Sequence, residues 1–407
     1  MQKTRFRDTD FYVLRDDLVE GGFNGNKARK LEYFLHADLS GVKRVVSYGS
    51  SQSNAMYSLS VFAKMKGLQF CYVVSNLSSN LAANPIGNFK FALENGMKIY
   101  IDKDRQARAR ALAYELAGLK EGEICCGEAV NLTHNRSEIC SNLKDAGRLN
   151  LSKFDERLGF TDINLNAKNM SNLQAEVEPN LQIEKSNLQD LNGQISSKFD
   201  EPAKLASANF SECKSHKNSN FKKSANPSSS NLPAAQDCFI GDSLFINEGV
   251  WQPQAEAGFI SQARQIERWA EAEGKTVDIF LPSGTGTSAA FLAKHVKFDV
   301  YTCPCVGDAN YLKSEIEALT PNSKARILQP PKKYHFGDLK PELYQIWREA
   351  CEQTGIEFEL IYDPVGFLTM SANPGAFKNE ILYIHQGGAL GNISQKLRYE
   401  RKFKEMR

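Results

Sequence analysis

No stretch of the 407-residue chain reaches the roughly 18 uninterrupted apolar residues that a membrane-spanning helix needs. The opening residues, Met-Gln-Lys-Thr-Arg-Phe-Arg-Asp, lack the apolar centre of a secretory leader. An excess of one charge is missing too: 50 Lys and Arg stand against 48 Asp and Glu, for a net charge of +2. No general attraction to nucleic acid or to an anionic membrane follows from that balance. The nine cysteines are odd in number and scattered, so no disulfide framework is expected. Cys125-Cys126 and Cys303-Pro304-Cys305 have no second ligand pair at zinc-site spacing, which leaves buried thiols as the expected state. Together these absences predict a cytoplasmic protein with reduced cysteines.

What is present alternates. A strand is expected over 11–18, a Gly-rich turn over 21–26, and a helix over 28–40 with Leu31, Phe34, Leu35 and Leu39 on one face. Strands follow at 42–48, 69–75 and 97–101, with helices between them. After Phe239 the pattern resumes, with helices near 257–273, 289–295 and 341–354. Strands are expected at 277–281, 298–303, 326–329, 358–362 and 381–385. Such alternation implies an α/β fold with parallel sheets. Residues 140–237 are different, rich in Asn, Ser, Lys, Gln and Asp, with Ser152-Lys-Phe-Asp-Glu156 recurring at 197–201. That composition buries too little apolar surface to offset ordering entropy and reads as a disordered surface insert.

Three junctions carry chemistry. Lys27 stands where the Gly turn meets a helix, with Arg29 and Lys30 beside it. A lysine near other cations and partly desolvated has a lowered pKa and is a usable amine nucleophile, although a basic helix start needs no such role. Ser283-Gly284-Thr285-Gly286-Thr287 lies between an apolar strand and a helix, where small residues let backbone N–H groups approach a phosphate. The loop lacks the Gly-Lys-Ser/Thr ending of a nucleotide P-loop and the third glycine of a dinucleotide fingerprint, so a small phosphate suits it better. Gln52, Ser53 and Asn54 open another helix after a strand. They would suit a ring hydroxyl or a carboxylate, or plain N-capping.

In order along the chain stand Asn26-Lys27-Ala28-Arg29-Lys30-Leu31-Glu32, Gln52-Ser53-Asn54, Asn247-Glu248-Gly249, the 283–287 loop, Asp363-Pro364-Val365 and His385-Gln386-Gly387-Gly388. Together they resemble the pyridoxal 5′-phosphate (PLP) family containing 1-aminocyclopropane-1-carboxylate (ACC) deaminase and D-cysteine desulfhydrase, over about 1–127 and 239–390. The resemblance implies a tryptophan synthase β-like fold: two domains, three-layer α/β/α, with mostly parallel sheets. The larger, PLP-binding domain would comprise 1–42 and 239–395, and the smaller 43–127. The insert at 140–237 and a basic, solvated tail at 396–407 would lie outside both.

By the same resemblance, Lys27 would hold PLP as a Schiff base and move protons. Asn54 would bond the ring hydroxyl, and Lys30 with Ser283, Gly284, Thr285, Gly286 and Thr287 would hold the phosphate. Gln386 would face the pyridine nitrogen as a neutral partner. Ser53 would contact the substrate carboxylate or act in proton transfer, with Gln52 shaping that pocket beside Asn54. The implied reaction is deamination of a small amino acid to ammonia and a keto acid, in a homodimer. The family's Tyr and its following Glu or small hydroxyl residue are Gly366 and Phe367 here, which places D-cysteine ahead of the cyclopropane substrate. A racemase or synthase reaction in the same pocket, or a catalytically weak relative that only binds PLP or phosphate, are the competing expectations.

Overall fold

The computed structural model describes residues 1–19, 22–23, 25–119 and 238–403. The expected polar insert at 140–237, Cys125-Cys126 and the last four residues of the expected tail lie outside the described residues. The chain begins with β1 (Gln2–Phe6) and β2 (Thr9–Arg15), then α1 (Lys27–His36), β3 (Arg44–Gly49) and α2 (Asn54–Met65). Next come β4 (Gln69–Val74), α3 (Ser79–Ala83), α4 (Gly87–Glu94), β5 (Met97–Ile101) and α5 (Arg105–Leu116). Beyond residue 238 follow β6 (Phe239–Ile240), β7 (Ser243–Ile246), α6 (Glu256–Ala272), β8 (Val277–Ser283), α7 (Thr287–His295) and β9 (Val300–Pro304). The rest is α8 (Ala309–Leu319), β10 (Arg326–Ile327), α9 (Pro341–Thr354), α10 (Asp363–Ala372), β11 (Glu380–His385) and α11 (Asn392–Lys402).

These strands make two sheets, of order β1-β2-β11-β8-β9-β10 and β5-β4-β3-β7-β6. Among the described residues, only the edge pairs β1–β2 and β6–β7 are antiparallel. Each sheet is covered on both faces, and the strand sequences show why. In β11, Leu382 and Ile384 join the core under α1, α6 and α7, whereas Ile381 and Tyr383 join the core under α9 and α10. In β3, Val45 faces α2 and α4 while Val46 faces α5. The strand period of two thus fills both faces, and β8, buried at every position, is apolar over 279–282, while its Asp278 accepts from Lys378 N and Asn379 N. One core cluster runs from Leu14 and Leu281 in the first sheet to Val45 and Tyr72 in the second, so the sheets share apolar packing.

The fold is therefore mixed α/β with mostly parallel sheets, as the alternation predicts. Three local expectations change. Residues 239–246, expected with the larger domain, join the second sheet, β7 pairing with β3 and β6 with β7. The expected basic tail from residue 396 is part of α11, which docks through the fully buried Tyr399, with Tyr344 and Phe403 against its ring. Residues 358–362 form no strand. Their N–H groups go to side chains: Glu359 to Asp363 Oδ2 (2.8 Å), Leu360 to Asn392 Oδ1 (2.8 Å), and Ile361 and Tyr362 to Glu359 Oε2 (2.8 and 2.6 Å). A segment whose donors are satisfied that way has no use for a neighbouring strand.

α1 is held tightly to α6. A Cβ on Gly258 would overlap the backbone carbonyl oxygen of Arg29, and backbone cannot yield as a side chain tip can. Gly258→Ala is expected to cost about 1–3 kcal/mol of stability, read as a lower urea midpoint with unchanged slope.

Candidate functional site

Parallel topology puts the carboxyl ends of β2, β11 and β8 on one edge, where Arg15 aligns with His385. Among the described residues, 16–19 and 25–26 follow β2, 386–388 follow β11 and 284–286 follow β8. The second sheet adds the turns after β3 and β7, which are 50–53 and 247–249. A cavity of about 650 Å³ opens among these turns. That is where ligands of parallel α/β folds usually bind. Lys27, Lys30, Gln52, Ser53, Asn54, Ser283, Gly284, Thr285, Gly286, Thr287 and Gln386 all line it.

The lysine turn rests on the 386–388 turn. Asn26 N donates to Gln386 O (2.6 Å), and its Nδ2 donates to Gln386 Oε1 (2.6 Å) and Ser288 Oγ (3.0 Å). Its Oδ1 then accepts from Lys27 Nζ at 2.9 Å. Loss of water around Lys27 lowers its amine to about 8, while Glu359 acts in the opposite direction. Lys30, one turn on, is 5% exposed and donates to Gly249 O at 3.0 Å. Burial, and then the charge of Lys27, hold its amine well below the ordinary lysine value.

Across the cavity, Gly286 has φ +71° and begins α7, so the loop turns sharply into a helix N-terminus. Thr285 and Thr287 hydroxyls lie 2.9 Å apart, and Ser283 Oγ accepts from Thr302. Small side chains, a helix start and a buried lysine opposite form a donor set suited to a phosphate dianion.

The other expected residues are more committed than the sequence shows. Ser53 Oγ caps α2, accepting from Ala55 N (3.1 Å) and Met56 N (3.4 Å). Gln52 donates to Ile86 O and accepts from Phe89 N. Asn54 Oδ1 accepts from Asn88 Nδ2 at 2.7 Å, which orients its amide with Nδ2 as the donor side. Gln386 Oε1 is taken by Asn26, and its Nε2 donates to Pro282 O at 2.5 Å. Both ends of Gln386 are thus used inside the protein.

Gly366 and Phe367 do not line the cavity. Phe367 is fully buried, stacked on Tyr383 at 5.0 Å, and a Cβ on Gly366 would meet the Tyr383 hydroxyl at 2.8 Å. Glu359 and Tyr362, in the segment expected to be a strand, do line the cavity, as do Glu248, Tyr311 and Asp363. Burial raises Glu359 to about 8, against the N–H groups of Tyr362 and Ile361, and it raises the Tyr362 phenol above its ordinary value. Both residues were missed. The available signal was a glutamate inside an otherwise apolar run, Phe358-Glu359-Leu360-Ile361-Tyr362.

Behind them, Asp363 accepts from the Tyr383 hydroxyl (2.6 Å) and lies 3.4 Å from His385 Nδ1. Tyr383→Phe would leave that buried carboxylate short of a partner, at an expected cost of about 1–3 kcal/mol, measured by thermal or urea unfolding. At the mouth, Arg105 pairs with Glu248 (2.7 Å), and Arg398 donates to Gln395 Oε1 (2.7 Å).

This fold is similar to that in the crystal structure of an ACC deaminase homologue. The TM-score is 0.52 at 18% identity, over 98% of this chain and 89% of that one. No family model matches the chain. Two archaeal sequences, each bearing the name "Putative 1-aminocyclopropane-1-carboxylate deaminase", are similar over short stretches. The Pyrococcus horikoshii protein is 42% identical over 66 residues, 16% of this chain and 20% of its own length. The Pyrococcus abyssi protein is 45% identical over 60 residues, 14% and 18% of the two lengths. The chain thus spans about a fifth of the curated relatives it matches.

Proposed function

We propose that this protein is a PLP-dependent enzyme that deaminates a small amino acid to a keto acid and ammonia. The observation that carries the reading is the meeting, in one cavity, of a lysine amine lowered to about 8 and a loop–helix phosphate cradle faced by Lys30. The residues present fit the cofactor. Lys27 would hold its aldehyde carbon, Lys30 and 283–287 its phosphate, and Asn54 its hydroxyl. Bound there, PLP supplies an electron sink for breaking bonds at the substrate Cα. The helix start at Asn54 and the turn at 50–53 would receive the substrate carboxylate.

D-Cysteine stands ahead of the cyclopropane amino acid. Gly366 and Phe367 bring no acid or base to the cavity, and the two phenols that line it, Tyr311 and Tyr362, are both raised above the ordinary value by burial. A protonated phenol suits donation to a departing sulfur and not removal of a ring proton. The test adds PLP to purified protein, records the visible band, and compares sulfide and keto acid from D-cysteine with ammonia and keto acid from the cyclopropane substrate. Faster cyclopropane turnover would reverse the preference, and PLP binding with racemisation alone would replace the reaction.

A further inference from the structure

One carboxyl oxygen on the cavity wall is left bare. Glu359 is 1% exposed and lines the cavity. Its Oε2 accepts from Ile361 N (2.8 Å) and Tyr362 N (2.6 Å), while its Oε1, equally buried, has no hydrogen-bond partner among the described residues. A buried polar atom in that state is costly unless a ligand answers it. Side-chain donors on the surrounding elements are committed elsewhere. Lys27 Nζ is turned to Asn26 Oδ1 and Lys30 Nζ to Gly249 O. Asn392 Nδ2 serves Glu357 Oε1 and Phe358 O, and Ser394 Oγ serves Gly391 O.

Two glycines fix where Oε1 stands. A Cβ on Gly388 would lie 3.0 Å from Glu359 Cγ and would overlap the Asn54 amide. A Cβ on Gly391 would lie 3.8 Å from Glu359 Oε1 and 3.4 Å from Asn54 Oδ1. Glu359 and Asn54 therefore flank the same pair of glycines, and both line the cavity. Asn88 holds the Asn54 amide with Nδ2 as its donor side.

We propose that Glu359 is a second binding residue, beside Asn54, for the hydroxyl on the ring of the bound cofactor. This deepens the PLP reading and rests on it. Because Oε2 already accepts two N–H groups, a proton on the carboxyl belongs on Oε1, from which it is donated into the cavity. Burial favours that protonated form, raising the group to about 8 against the Tyr362 N–H. The Asn54 amide and the Glu359 acid then bring two donors to one acceptor oxygen, which an aromatic hydroxyl supplies. The ring is held at a third point, apart from its aldehyde carbon at Lys27 and its phosphate at Lys30 and 283–287.

Full-length wild type and Glu359→Leu are titrated with PLP and with 3-deoxypyridoxal 5′-phosphate, which lacks the ring hydroxyl, and binding is read by calorimetry. Both ligands keep the aldehyde and the phosphate, so what Lys27 and the 283–287 loop contribute cancels in the ratio of the two Kd values. Wild type is expected to prefer PLP, and Glu359→Leu to lose roughly tenfold of that preference. Glu359→Gln keeps an acceptor for Ile361 and Tyr362 and a donor at the bare position, and is expected to restore it. A ratio in Glu359→Leu equal to that of wild type overturns the proposal, because loosening of the 358–362 segment weakens both ligands alike. If melting curves show that Glu359→Leu does not fold, Gly391→Ala decides. Its methyl fits at ordinary contact distance against both Asn54 and Glu359, so the preference should fall, and an unchanged ratio again overturns the proposal. Failure of wild type to bind either ligand removes the cofactor reading and this assignment with it. Binding of both ligands with an unchanged ratio removes this assignment alone.

Discussion

Lys27→Ala is expected to abolish the visible absorption band that purified protein shows with PLP, and to remove turnover of every amino acid tested. Alanine lacks the nucleophile and the proton carrier together, and a positioned acid–base group alone is worth about 10²–10⁴-fold in rate. The substitution should leave the fold unchanged. Lys27 is the first residue of α1, its side chain is half-buried, and its hydrogen bond is to the neighbouring Asn26. Phosphate-cradle binding should survive in part, seen as weak PLP retention without the band. A band of undiminished strength in Lys27→Ala would move the reactive amine to Lys30 or remove it from the cavity.

Gly25→Ala is expected to be the more damaging change, although it deletes no functional group. Gly25 has φ +67°, and a Cβ there would overlap the backbone carbonyl oxygen of Gln386. The left-handed conformation costs an ordinary residue roughly 1–2 kcal/mol, and overpacking adds about 1–3 kcal/mol. Two backbone segments cannot swing aside as a side chain can, and the same Cβ would also lie 2.7 Å from Gly387 Cα. The result should be a large fall in the unfolding midpoint, or a folded protein whose lysine turn has left the 386–388 turn and no longer gives the band. A variant with wild-type stability and a normal band would show that these turns are not as tightly joined as their geometry indicates.

Much of this fold is legible in the sequence because parallel strands between helices must be apolar on both faces. β8 and β11 announce themselves by that demand alone. Lys27, Lys30 and the 283–287 loop are legible for a related reason, since each sits at a strand-to-helix junction of recognisable composition. The 358–362 segment reads wrongly because alternation reports burial and not the partner of the backbone. Phe358 and Leu360 are buried as a strand would bury them, but Asp363, Asn392 and Glu359 itself supply the acceptors. Gly366 and Phe367 mislead in a second way. Their place beside Asp-Pro-Val suggests the cavity, whereas Phe367 turns into the aromatic cluster of Phe6, Phe11, Phe358 and Tyr383. The docking of α11 depends on Tyr399, a single aromatic in a run of charges, too slight a pattern to separate from a solvated helix.

The second sheet is closed by a strand pair that arrives late. β5 and α5 precede residue 120, and β6 and β7 begin after residue 237, yet β7 lies directly against β3. Where the chain returns, the two sides touch: a Cβ on Gly241 would lie 2.8 Å from Ala117 Cβ and 2.9 Å from Leu119. The intervening chain therefore leaves and re-enters at one spot, like the neck of a purse. Its length can grow or shrink without altering the register of any strand, because closure entropy rises by only about 0.6 kcal/mol per doubling. Joining residues 119 and 238 by a short linker should be geometrically permissible. The same neck is the natural place to open the chain and give it new ends.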